Sequence, residues 1–443
     1  MMRRLTFPLG GIHPVERKGA TRNSASANAI IPSRCIVPLQ QHIGAPAESL
    51  VGKGDEIGEG MLIGQAKGFV SANIHAPVPG TVKEIKSIYL PNGVRTDAVV
   101  IELEGEFERL GKEESRRDWS GMDGPEILDI IRENGIVGMG GATFPTHVKF
   151  SLPKGRRCEY LILNGTECEP YLSADHRLMV ERPAQLLEGL RIVEHLLQPD
   201  HVLIGIETNK PDAIAALQNA VNEAGVNYRV VPLKIKYPQG DEKQLIKAIN
   251  GREVPSGGLP LEIGCVVSNA GTVHAIYEAV VLGRPLIDRL VTVSGGAIAK
   301  PANLKVRIGT PIGELINECG GFSRTPAKII TGGPMMGQTI YDLDIPVTKG
   351  TSGILALTER EVNAAPRTAC IQCGRCVDAC PIGIEPTKLF KLIDHFEYED
   401  AVAHGLMDCR ECGSCGYICP ARIPLVQGMR IGKLMARKKK VPV

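Results

Sequence analysis

Short runs of alternating apolar and polar residues, separated by glycine and proline, fill the first quarter of the chain. From about Ile30 to Leu103, Val, Ile and Leu alternate with polar side chains between turns rich in Gly and Pro. A period of two with this punctuation is typical of short strands. It predicts a small β domain, followed by a charged linker that carries the only tryptophan, Trp119. We therefore place the first domain and its linker at residues 1–120.

The pattern changes to alternating helices and strands after residue 120. The predicted helices cover Pro125 to Asn134, Leu186 to Leu197, Asp212 to Ala224 and Glu242 to Ile249. The predicted strands between them cover Glu159 to Asn164, His201 to Glu207 and Tyr228 to Pro232. Alternation of this kind builds a parallel sheet covered by helices. Residues 121–284 are therefore predicted to form a Rossmann-like α/β domain.

Two further domains complete the prediction of a multidomain α/β protein. Residues 285–350 contain three Val- and Ile-rich strands around a short helix, Ile312 to Cys319, which suggests a small β-grasp domain. Residues 351–443 contain two cysteine runs joined by a helical stretch near Lys388 to Phe396. The last segment, Ala421 to Val443, has no acidic residue, and we interpret it as a solvated basic tail. Contact of this tail with anionic lipid or an acidic partner is the alternative.

Composition limits the function classes. The chain has 443 residues, of which 43% are hydrophobic and 23% charged, which is enough for several packed cores. A formal net charge of +2 gives no case for general nucleic-acid binding. No apolar run is long enough to cross a bilayer, and prolines and glycines interrupt the start of the chain. We expect a protein of the cytoplasmic side that reaches a membrane through a partner or a surface patch.

Eight of the 13 cysteines form two copies of one motif. Each copy reads C-x2-C-x2-C-x3-C-P, the spacing of bacterial ferredoxins with two clusters, in which the fourth cysteine binds the cluster of the other run. The predicted ligands are Cys370, Cys373, Cys376 and Cys419 for one [4Fe–4S] cluster, and Cys409, Cys412, Cys415 and Cys380 for the other. Zinc held by the C-x2-C pairs is a weaker alternative. The five scattered cysteines suggest no disulfide framework.

Four loops of the α/β domain carry candidate ligand-binding residues. The first, Gly138-Met-Gly-Gly-Ala-Thr-Phe, is rich in glycine but lacks the strand–turn–helix context of a dinucleotide fingerprint. The second, Asn164-Gly-Thr-Glu-Cys-Glu, follows a strand, where α/β sheets bind ligands. The others are Tyr237-Pro-Gln-Gly-Asp-Glu and Val267-Ser-Asn-Ala-Gly-Thr. Small residues let a ring or a phosphate approach the backbone closely, and exposed N–H groups can bind an anion.

These loops, together with the cysteine runs, resemble those of two related families. They are similar to the flavoprotein subunit of respiratory complex I, and more closely to the C subunit of the Rnf electron transport complex. Gly-Gly-Ile-His-Pro (10–14) and Gly-Gly-Pro-Met-Met-Gly (332–337) resemble the same family, so the resemblance spans essentially the whole chain. The first domain also resembles the biotinyl/lipoyl-type barrel-sandwich domain, in which we interpret Lys67 as a solvated turn lysine. The β-grasp domain is SLBB-like.

The resemblance implies non-covalent FMN and NAD(H) at one site. Hydride transfer between them needs no catalytic acid, base or nucleophile, and none stands out in the sequence. The cofactor-binding residues that the resemblance implies are Gly138, Gly140, Gly141, Phe144, Lys149, Asn164, Glu167, Glu169, Tyr237, Gly240, Asp241, Glu242, Asn269 and Thr272. NAD(H) is expected to stack over the flavin near Phe144, with Glu167 and Glu169 close to the nucleotide and Tyr237 lining the pocket. Asp241 stands where the complex I flavoprotein has Glu, and Ser268 where it has Asn, so the flavin site is better defined than the nicotinamide site.

The sequence therefore suggests an NAD(H)-linked electron-transfer protein. A flavin takes up two electrons together and releases them singly, so it can link NAD(H) to one-electron clusters. By resemblance, we expect a peripheral subunit on the cytoplasmic face of a membrane complex that couples ferredoxin:NAD+ oxidoreduction to Na+ or H+ transport. Its partners would be integral-membrane and iron–sulfur subunits, with ferredoxin acting indirectly. The alternatives are a soluble flavin/iron–sulfur reductase, such as a cobalamin reductase, and a non-enzymatic ligand-binding adaptor.

Overall fold

The alternating apolar residues near the start of the chain form a small β unit. The computed structural model describes residues 5–112, 115–362 and 364–442. Its first strands are β1 (Ala27–Asn28), β2 (Arg34–Pro38), β3 (Glu48–Ser49), β4 (Glu56–Ile57), β5 (Leu62–Gln65), β6 (Ile74–His75), β7 (Gly80–Tyr89) and β8 (Arg95–Leu103). Two antiparallel sheets, ordered β2-β8-β7-β4 and β3-β5-β6, enclose a core that includes Val37, Ile63 and Val99. Residues 34–103 are named the N-terminal unit below.

The second unit, residues 124–282, is a parallel sheet covered by helices, as the sequence predicts. Its helices are α1 (Gly124–Glu133), α2 (Thr146–Phe150), α3 (Ala174–Glu181), α4 (Pro183–Leu197), α5 (Pro211–Ala224), α6 (Glu242–Asn250) and α7 (Ala270–Leu282). Its strands are β9 (Tyr160–Gly165), β10 (His201–Glu207), β11 (Arg229–Leu233) and β12 (Cys265–Asn269), in the order β11-β10-β9-β12. Leu161 and Leu163 pack into one core and Ile162 into another, so helices cover both faces of the sheet. Asn164 pairs with Asn269 where β9 and β12 end together.

The third unit, residues 288–357, is a mixed sheet with one helix. It contains β13 (Asp288–Ser294), β14 (Ala302–Arg307), α8 (Ile312–Glu318), β15 (Lys328–Thr331), β16 (Gln338–Ile340) and β17 (Gly353–Leu357). The strand order is β1-β14-β13-β17-β15-β16, so the short strand β1 extends this sheet rather than the N-terminal unit. Ile312, Leu315 and Ile316 of α8 pack into the core under the sheet. We name it the mixed-sheet unit.

The fourth unit, residues 364–442, is helical and carries both cysteine runs; it is named the cysteine unit. Its helices are α9 (Arg375–Asp378), α10 (Pro386–Asp394), α11 (Tyr398–Ala403), α12 (Ser414–Ile418) and α13 (Leu425–Lys438). Leu389 of α10, Ala401 of α11 and Met429 of α13 share one core. The two cysteine runs lie around α9 and α12, which contact each other.

The interpretation of residues 421–443 as a solvated tail is wrong for most of its length. Residues 425–438 form helix α13, whose one face is buried against the rest of the cysteine unit. Gly428 and Gly432 permit this packing, because a β-carbon at either would lie 2.5 Å from the side chain of Phe390 or Ile393. Lys433 is buried and donates a hydrogen bond to the Cys409 carbonyl at 2.5 Å. Exposed basic residues remain at Arg422, before the helix, and at residues 437–440, at its end and just beyond it.

The charged segment between the first two units is attached to the second. Trp119 Nε1 donates to Glu188 at 3.3 Å, and Arg116 forms an ion pair with the same carboxylate at 2.8 Å. Residues 113 and 114 of this predicted linker lie outside the described residues. Throughout the ranges that the structure describes, no helix combines the length and the hydropathy that a membrane crossing requires.

Two buried cations of the mixed-sheet unit join its neighbours through main-chain carbonyls. Lys349 Nζ donates to the carbonyl of Asn73 in the N-terminal unit and to that of Gly135 in the parallel-sheet unit, both at 2.7 Å. Arg289 donates to the Lys349 carbonyl and, at 3.5 Å, to the carbonyl of Met139. Burial lowers the pKa of Lys349 to about 7 and that of Arg289 to about 10. The three units are thus fixed against one another beside the glycine-rich loop.

Candidate functional site

One large cavity lies at the carboxyl edge of the parallel sheet. Its volume is about 860 Å³, in the upper part of the range of roughly 300–1,000 Å³ that is usual for cofactor sites. All fourteen residues that the sequence suggested for cofactor binding line it: Gly138, Gly140, Gly141, Phe144, Lys149, Asn164, Glu167, Glu169, Tyr237, Gly240, Asp241, Glu242, Asn269 and Thr272. The loops meet because parallel strands place their carboxyl ends along one edge of a sheet.

The glycine-rich loop is closed on itself and fixed to the start of α7. The N–H group of Gly138 donates to the Phe144 carbonyl at 2.9 Å. The N–H group of Met139 donates to the Thr272 hydroxyl at 2.8 Å. Gly141 has φ of +123°, which side chains other than glycine's rarely allow. The loop therefore holds one backbone conformation at the cavity wall.

Two helices begin at the cavity wall, each at a residue suggested for the site. Asp241 Oδ1 accepts hydrogen bonds from the N–H groups of Lys243 and Gln244 and so caps α6. Asn269 Oδ1 accepts a hydrogen bond from the N–H group of Thr272 at 3.3 Å and caps α7. The amino end of a helix carries partial positive charge and favours an anion nearby.

Near the starts of these two helices, the cavity wall contains Gly140 and an ion pair between Lys149 and Glu242. A β-carbon on Gly140 would lie 3.2 Å from Cβ of Asn269, so a larger residue there would have to displace Asn269 or enter the cavity. Lys149 Nζ lies 2.6 Å from Glu242 Oε1, and each side chain is about one third exposed. The pair leaves the remaining hydrogen atoms of the Lys149 ammonium group free to meet a ligand from the cavity side.

Glu167 and Glu169 line the cavity, but backbone amides hold both carboxylates. Glu167 accepts hydrogen bonds from the first N–H groups of α3, at 2.8 and 3.2 Å. Glu169 accepts from the N–H groups of Met335 at 3.0 Å and Met336 at 2.9 Å, which lie in the turn 332–337 of the mixed-sheet unit. Burial raises the pKa of Glu169 to about 7, against the lowering effect of those two amides. Contact of either carboxylate with a nucleotide stays a prediction.

The chemistry of the wall fits FMN. The Thr146 hydroxyl is buried beside the cavity and has no hydrogen-bond partner among the described residues. Buried polar groups are nearly always paired, so a ligand is its natural partner. Glycines offer close approach to a ring, and Lys149 and the helix amino ends suit a phosphate. The structure thus brings together what a planar ring with a phosphate needs.

The cysteine unit forms part of the same cavity. Tyr237, 2% exposed, donates its hydroxyl to the Cys412 carbonyl at 2.6 Å. Arg410 Nε donates to Asp241 Oδ2 at 2.7 Å, and Cys412 itself lines the cavity. A β-carbon on Gly413 would lie 2.8 Å from the Met335 carbonyl, so the turn 332–337 also packs tightly against this run. The second cysteine run therefore adjoins the cavity directly.

The structure separates the eight motif cysteines into two neighbourhoods. Cys380, Cys409, Cys412 and Cys415 line a second, small cavity together, the set that crosswise ligation assigns to one cluster. Cys376 packs near Cys370 and Cys419 in a cluster that Cys415 also contacts, so Cys415 lies between the two groups, while Cys373 is exposed. In the part of the chain that the structure describes, no three His, Cys, Asp or Glu side chains are grouped to hold a metal ion. A four-iron cluster separates its thiolates more widely than a single ion does, and the ligand assignment stays a prediction.

The sequence did not indicate several parts of the wall. The N-terminal unit contributes residues 40–43, 90–92 and 94, the mixed-sheet unit contributes Arg289, and the cysteine unit contributes Arg410. Only Arg289 could have been recognised from the sequence, because a single cation in a largely apolar strand indicates a buried polar contact. The other contributions depend on how separate units pack, which local sequence patterns do not encode.

Family models match four consecutive segments of the chain. The RnfC barrel sandwich hybrid domain matches residues 5–106, and the Nuo51 FMN-binding domain matches residues 131–278. The SLBB domain matches residues 290–339, and the 4Fe-4S dicluster domain matches residues 369–423. Together with the observed sheets, these matches confirm the predicted fold class and the predicted cofactor classes, FMN and [4Fe–4S] clusters.

Curated relatives match nearly the whole chain. The C subunit of the proton-translocating ferredoxin:NAD(+) oxidoreductase complex of Clostridium ljungdahlii is 48% identical over 95% of this chain and 92% of its own. The C subunit of the Na(+)-translocating complex of Acetobacterium woodii is 43% identical over 97% of this chain and 98% of its own. The C subunit of the ion-translocating oxidoreductase complex of Rhodobacter capsulatus is 43% identical over 97% and 84%.

Comparison with solved structures finds two partial matches. Crystal structures of NAD+-reducing [NiFe]-hydrogenase in the air-oxidized and H2-reduced states are 19% and 18% identical, with TM-scores of 0.47 and 0.49. They cover 71% and 72% of this chain, and 54% and 61% of their own. Because relatives 43–48% identical match it almost from end to end, the chain belongs to the RnfC family, the C subunits of ion-translocating ferredoxin:NAD(+) oxidoreductase complexes.

Proposed function

We propose that this protein exchanges hydride between NAD(H) and FMN in the large cavity and passes single electrons through two [4Fe–4S] clusters. One observation carries the proposal: the loops with the implied flavin contacts and Cys412 of a cluster-binding run line the same cavity. No other unit of the described chain needs to lie between the flavin site and the nearer cluster. When bound, FMN links two-electron to one-electron transfer, and the clusters carry the single electrons.

The chain's own residues bind and orient the two molecules. Lys149 and the amino ends of α6 and α7 favour the FMN phosphate, and the Thr146 hydroxyl offers a further hydrogen bond. Phe144 provides a ring face for stacking. The residues proposed for FMN are Gly138, Gly140, Gly141, Lys149, Asn164, Gly240, Asp241, Glu242, Asn269 and Thr272, and those proposed for NAD(H) are Phe144, Glu167, Glu169 and Tyr237.

The two clusters lie in a defined order along the electron path. Cys409, Cys412, Cys415 and Cys380 hold the cluster next to the cavity, since Cys412 lines both cavities. Cys370, Cys373, Cys376 and Cys419 hold the other, which faces outward because Cys373 is exposed. A partner protein would exchange electrons with the outer cluster. Crosswise ligation makes the two runs depend on each other.

We further infer that the protein is a peripheral subunit on the cytoplasmic face of a membrane complex. Integral-membrane and iron–sulfur subunits are its partners, ferredoxin acts through them, and the complex couples the reaction to Na+ or H+ transport. The names of the relatives, one proton-translocating and one Na(+)-translocating, support this. Co-purification with membrane subunits after mild detergent extraction tests it. Quantitative recovery of full ferredoxin:NAD+ activity in the detergent-free supernatant would contradict it.

Gly140→Trp tests the flavin site. The indole must displace Asn269, itself a proposed FMN contact, or enter the cavity, because even a β-carbon at this position lies 3.2 Å from Asn269. Bound FMN, measured by its absorbance after anaerobic purification, should be lost while the iron content stays that of the wild type. NADH-driven reduction of the clusters, followed by EPR, should then disappear. Gly121→Trp is the matched control, since nothing lies within 4 Å of a β-carbon there and the residue is exposed. Normal FMN and cluster reduction in Gly140→Trp would refute the assignment.

A further inference from the structure

The N-terminal unit forms the outer wall of the large cavity, away from the parallel sheet. Two of its segments line the cavity: residues 40–43, and the tip of the β7–β8 hairpin, residues 90–94 without Gly93. The loop between β5 and β6, which carries the exposed side chain of Phe69, does not line the cavity. The wall is therefore made by one side of the unit only.

Hydrogen bonds fix the shape of the hairpin tip. The N–H group of Leu90 donates to the Val94 carbonyl at 2.9 Å, and that of Gly93 donates to the Leu90 carbonyl at 2.9 Å. The Asn92 side chain accepts from the N–H group of Val94 at 3.0 Å. A tip closed in this way presents its side chains in one arrangement, as a binding wall requires.

The wall is also fixed relative to the flavin loops. The N–H group of Ile43 donates to the carbonyl of Thr143 in the glycine-rich loop at 3.4 Å. Gln41 accepts from the N–H group of Lys349 at 2.9 Å, and Lys349 in turn bridges to Gly135. The outer wall and the glycine-rich loop are thus two sides of one cleft.

The chemistry of the wall suits an aromatic ring attached to phosphates. Leu90, Pro91, Val94 and Ile43 supply apolar surface, and Ile43 is 52% exposed at the cavity. Apolar side chains that gather at a cavity mouth commonly mark a ligand surface. Neither segment contains an acidic residue, so nothing in it repels a pyrophosphate.

We propose that the hairpin tip 90–94 and the Ile43 loop bind the adenosine half of NAD(H). The inference rests on the proposed function, in which the nicotinamide ring must lie over the flavin at the glycine-rich loop for hydride transfer. The rest of the dinucleotide then extends outward, and the apolar wall of the N-terminal unit bounds that space. The barrel-sandwich unit is thereby part of substrate recognition.

The test compares two reduced nucleotides on the flavin- and cluster-loaded protein with ferricyanide as electron acceptor. NADH contains the adenosine half, and reduced nicotinamide mononucleotide lacks it. In Leu90→Asp/Val94→Asp the KM for NADH should rise about tenfold or more, because carboxylates repel the pyrophosphate and resist desolvation. The kcat, the FMN content and the KM for the mononucleotide should stay within about twofold of the wild type. Phe69→Asp is the matched control in the same unit and should leave all four values unchanged.

Three outcomes would overturn the proposal. They are a KM for NADH within about twofold of the wild type, an equal rise of KM for the mononucleotide, and an equal rise in Phe69→Asp. If the double variant loses FMN, Val94→Asn gives the same comparison with a smaller change of surface. Failure of the proposed function itself appears differently, as a wild-type flavin that neither nucleotide reduces.

Discussion

The hydroxyl of Tyr237 connects the flavin cavity to the cysteine unit, and Tyr237→Phe tests how much that contact contributes. The hydroxyl donates to the Cys412 carbonyl at 2.6 Å from a ring that is 2% exposed. Burial holds the pKa of Tyr237 well above its usual value, so the hydroxyl stays protonated and can donate. Phenylalanine keeps the ring and removes only the donor.

The expected cost follows from the acceptor that remains. Leaving a buried carbonyl without its donor costs about 1–3 kcal/mol. At the lower end, ~1–2 kcal/mol corresponds to a roughly 5- to 30-fold increase in the population of locally opened forms. The Arg410–Asp241 contact remains, so the cysteine unit should stay attached while residues 411–416 open more often.

Hydrogen exchange measured by mass spectrometry on the flavin- and cluster-loaded protein reads this opening directly. Amides of residues 411–416 should exchange roughly 5- to 30-fold faster in Tyr237→Phe, while those of α13 stay unchanged. Tyr228→Phe is the matched control. The Tyr228 hydroxyl donates to Glu194, so this variant also loses one tyrosine hydrogen bond, but within the parallel-sheet unit and not to the cysteine unit. Unchanged exchange at 411–416, or equal changes in the two variants, would refute the reasoning.

Two further predictions concern a buried cation and a cluster ligand. Because the pKa of Lys349 is lowered from 10.5 to about 7, the unfolded chain binds more protons than the folded one between those values, and stability rises with pH through this window. From pH 7 to 9, the free energy of unfolding of the wild type should therefore rise relative to that of Lys349→Met by up to about 3 kcal/mol, which thermal unfolding detects as a widening difference in Tm. A Tm difference that does not change with pH would contradict this. Cys380→Ser should lose the cluster next to the cavity, so iron falls and NADH-driven cluster signals disappear while flavin reduction persists. Cys319→Ser, at a buried cysteine of the mixed-sheet unit, should keep its iron, and full iron in Cys380→Ser would reject the crosswise assignment.

Much of the fold followed from periodicity, and one error shows its limit. The predicted strand His201 to Glu207 coincides with β10, because a parallel strand covered on both faces is a compact apolar run. Helix α13 was not predicted, because the segment contains basic but no acidic residues, a composition typical of a solvated tail. Leu425, Met429 and Ala436 recur on one face, and Gly428 and Gly432 mark close packing rather than flexibility.

The candidate site was predictable only where it consists of strand-end loops. Asn164 and Asn269 lie at the ends of neighbouring parallel strands, so sheet geometry alone brings them together. The tip 90–94 is far from them in sequence and reaches the cavity through contacts between units, such as that of Lys349 with Asn73. Contacts of that kind depend on how separate cores pack against one another, and a local sequence pattern does not indicate them.

The bonds between units differ in how they respond to ionic strength. Lys349, 1% exposed, donates to main-chain carbonyls of two neighbouring units, where dissolved ions have no access. Arg410 and Asp241, by contrast, form an ion pair whose arginine side chain is 34% exposed. Salt screens the second kind of contact far more than the first. Rising salt concentration should therefore weaken the contact between the cysteine unit and the parallel-sheet unit first. The contacts that join the other three units should persist.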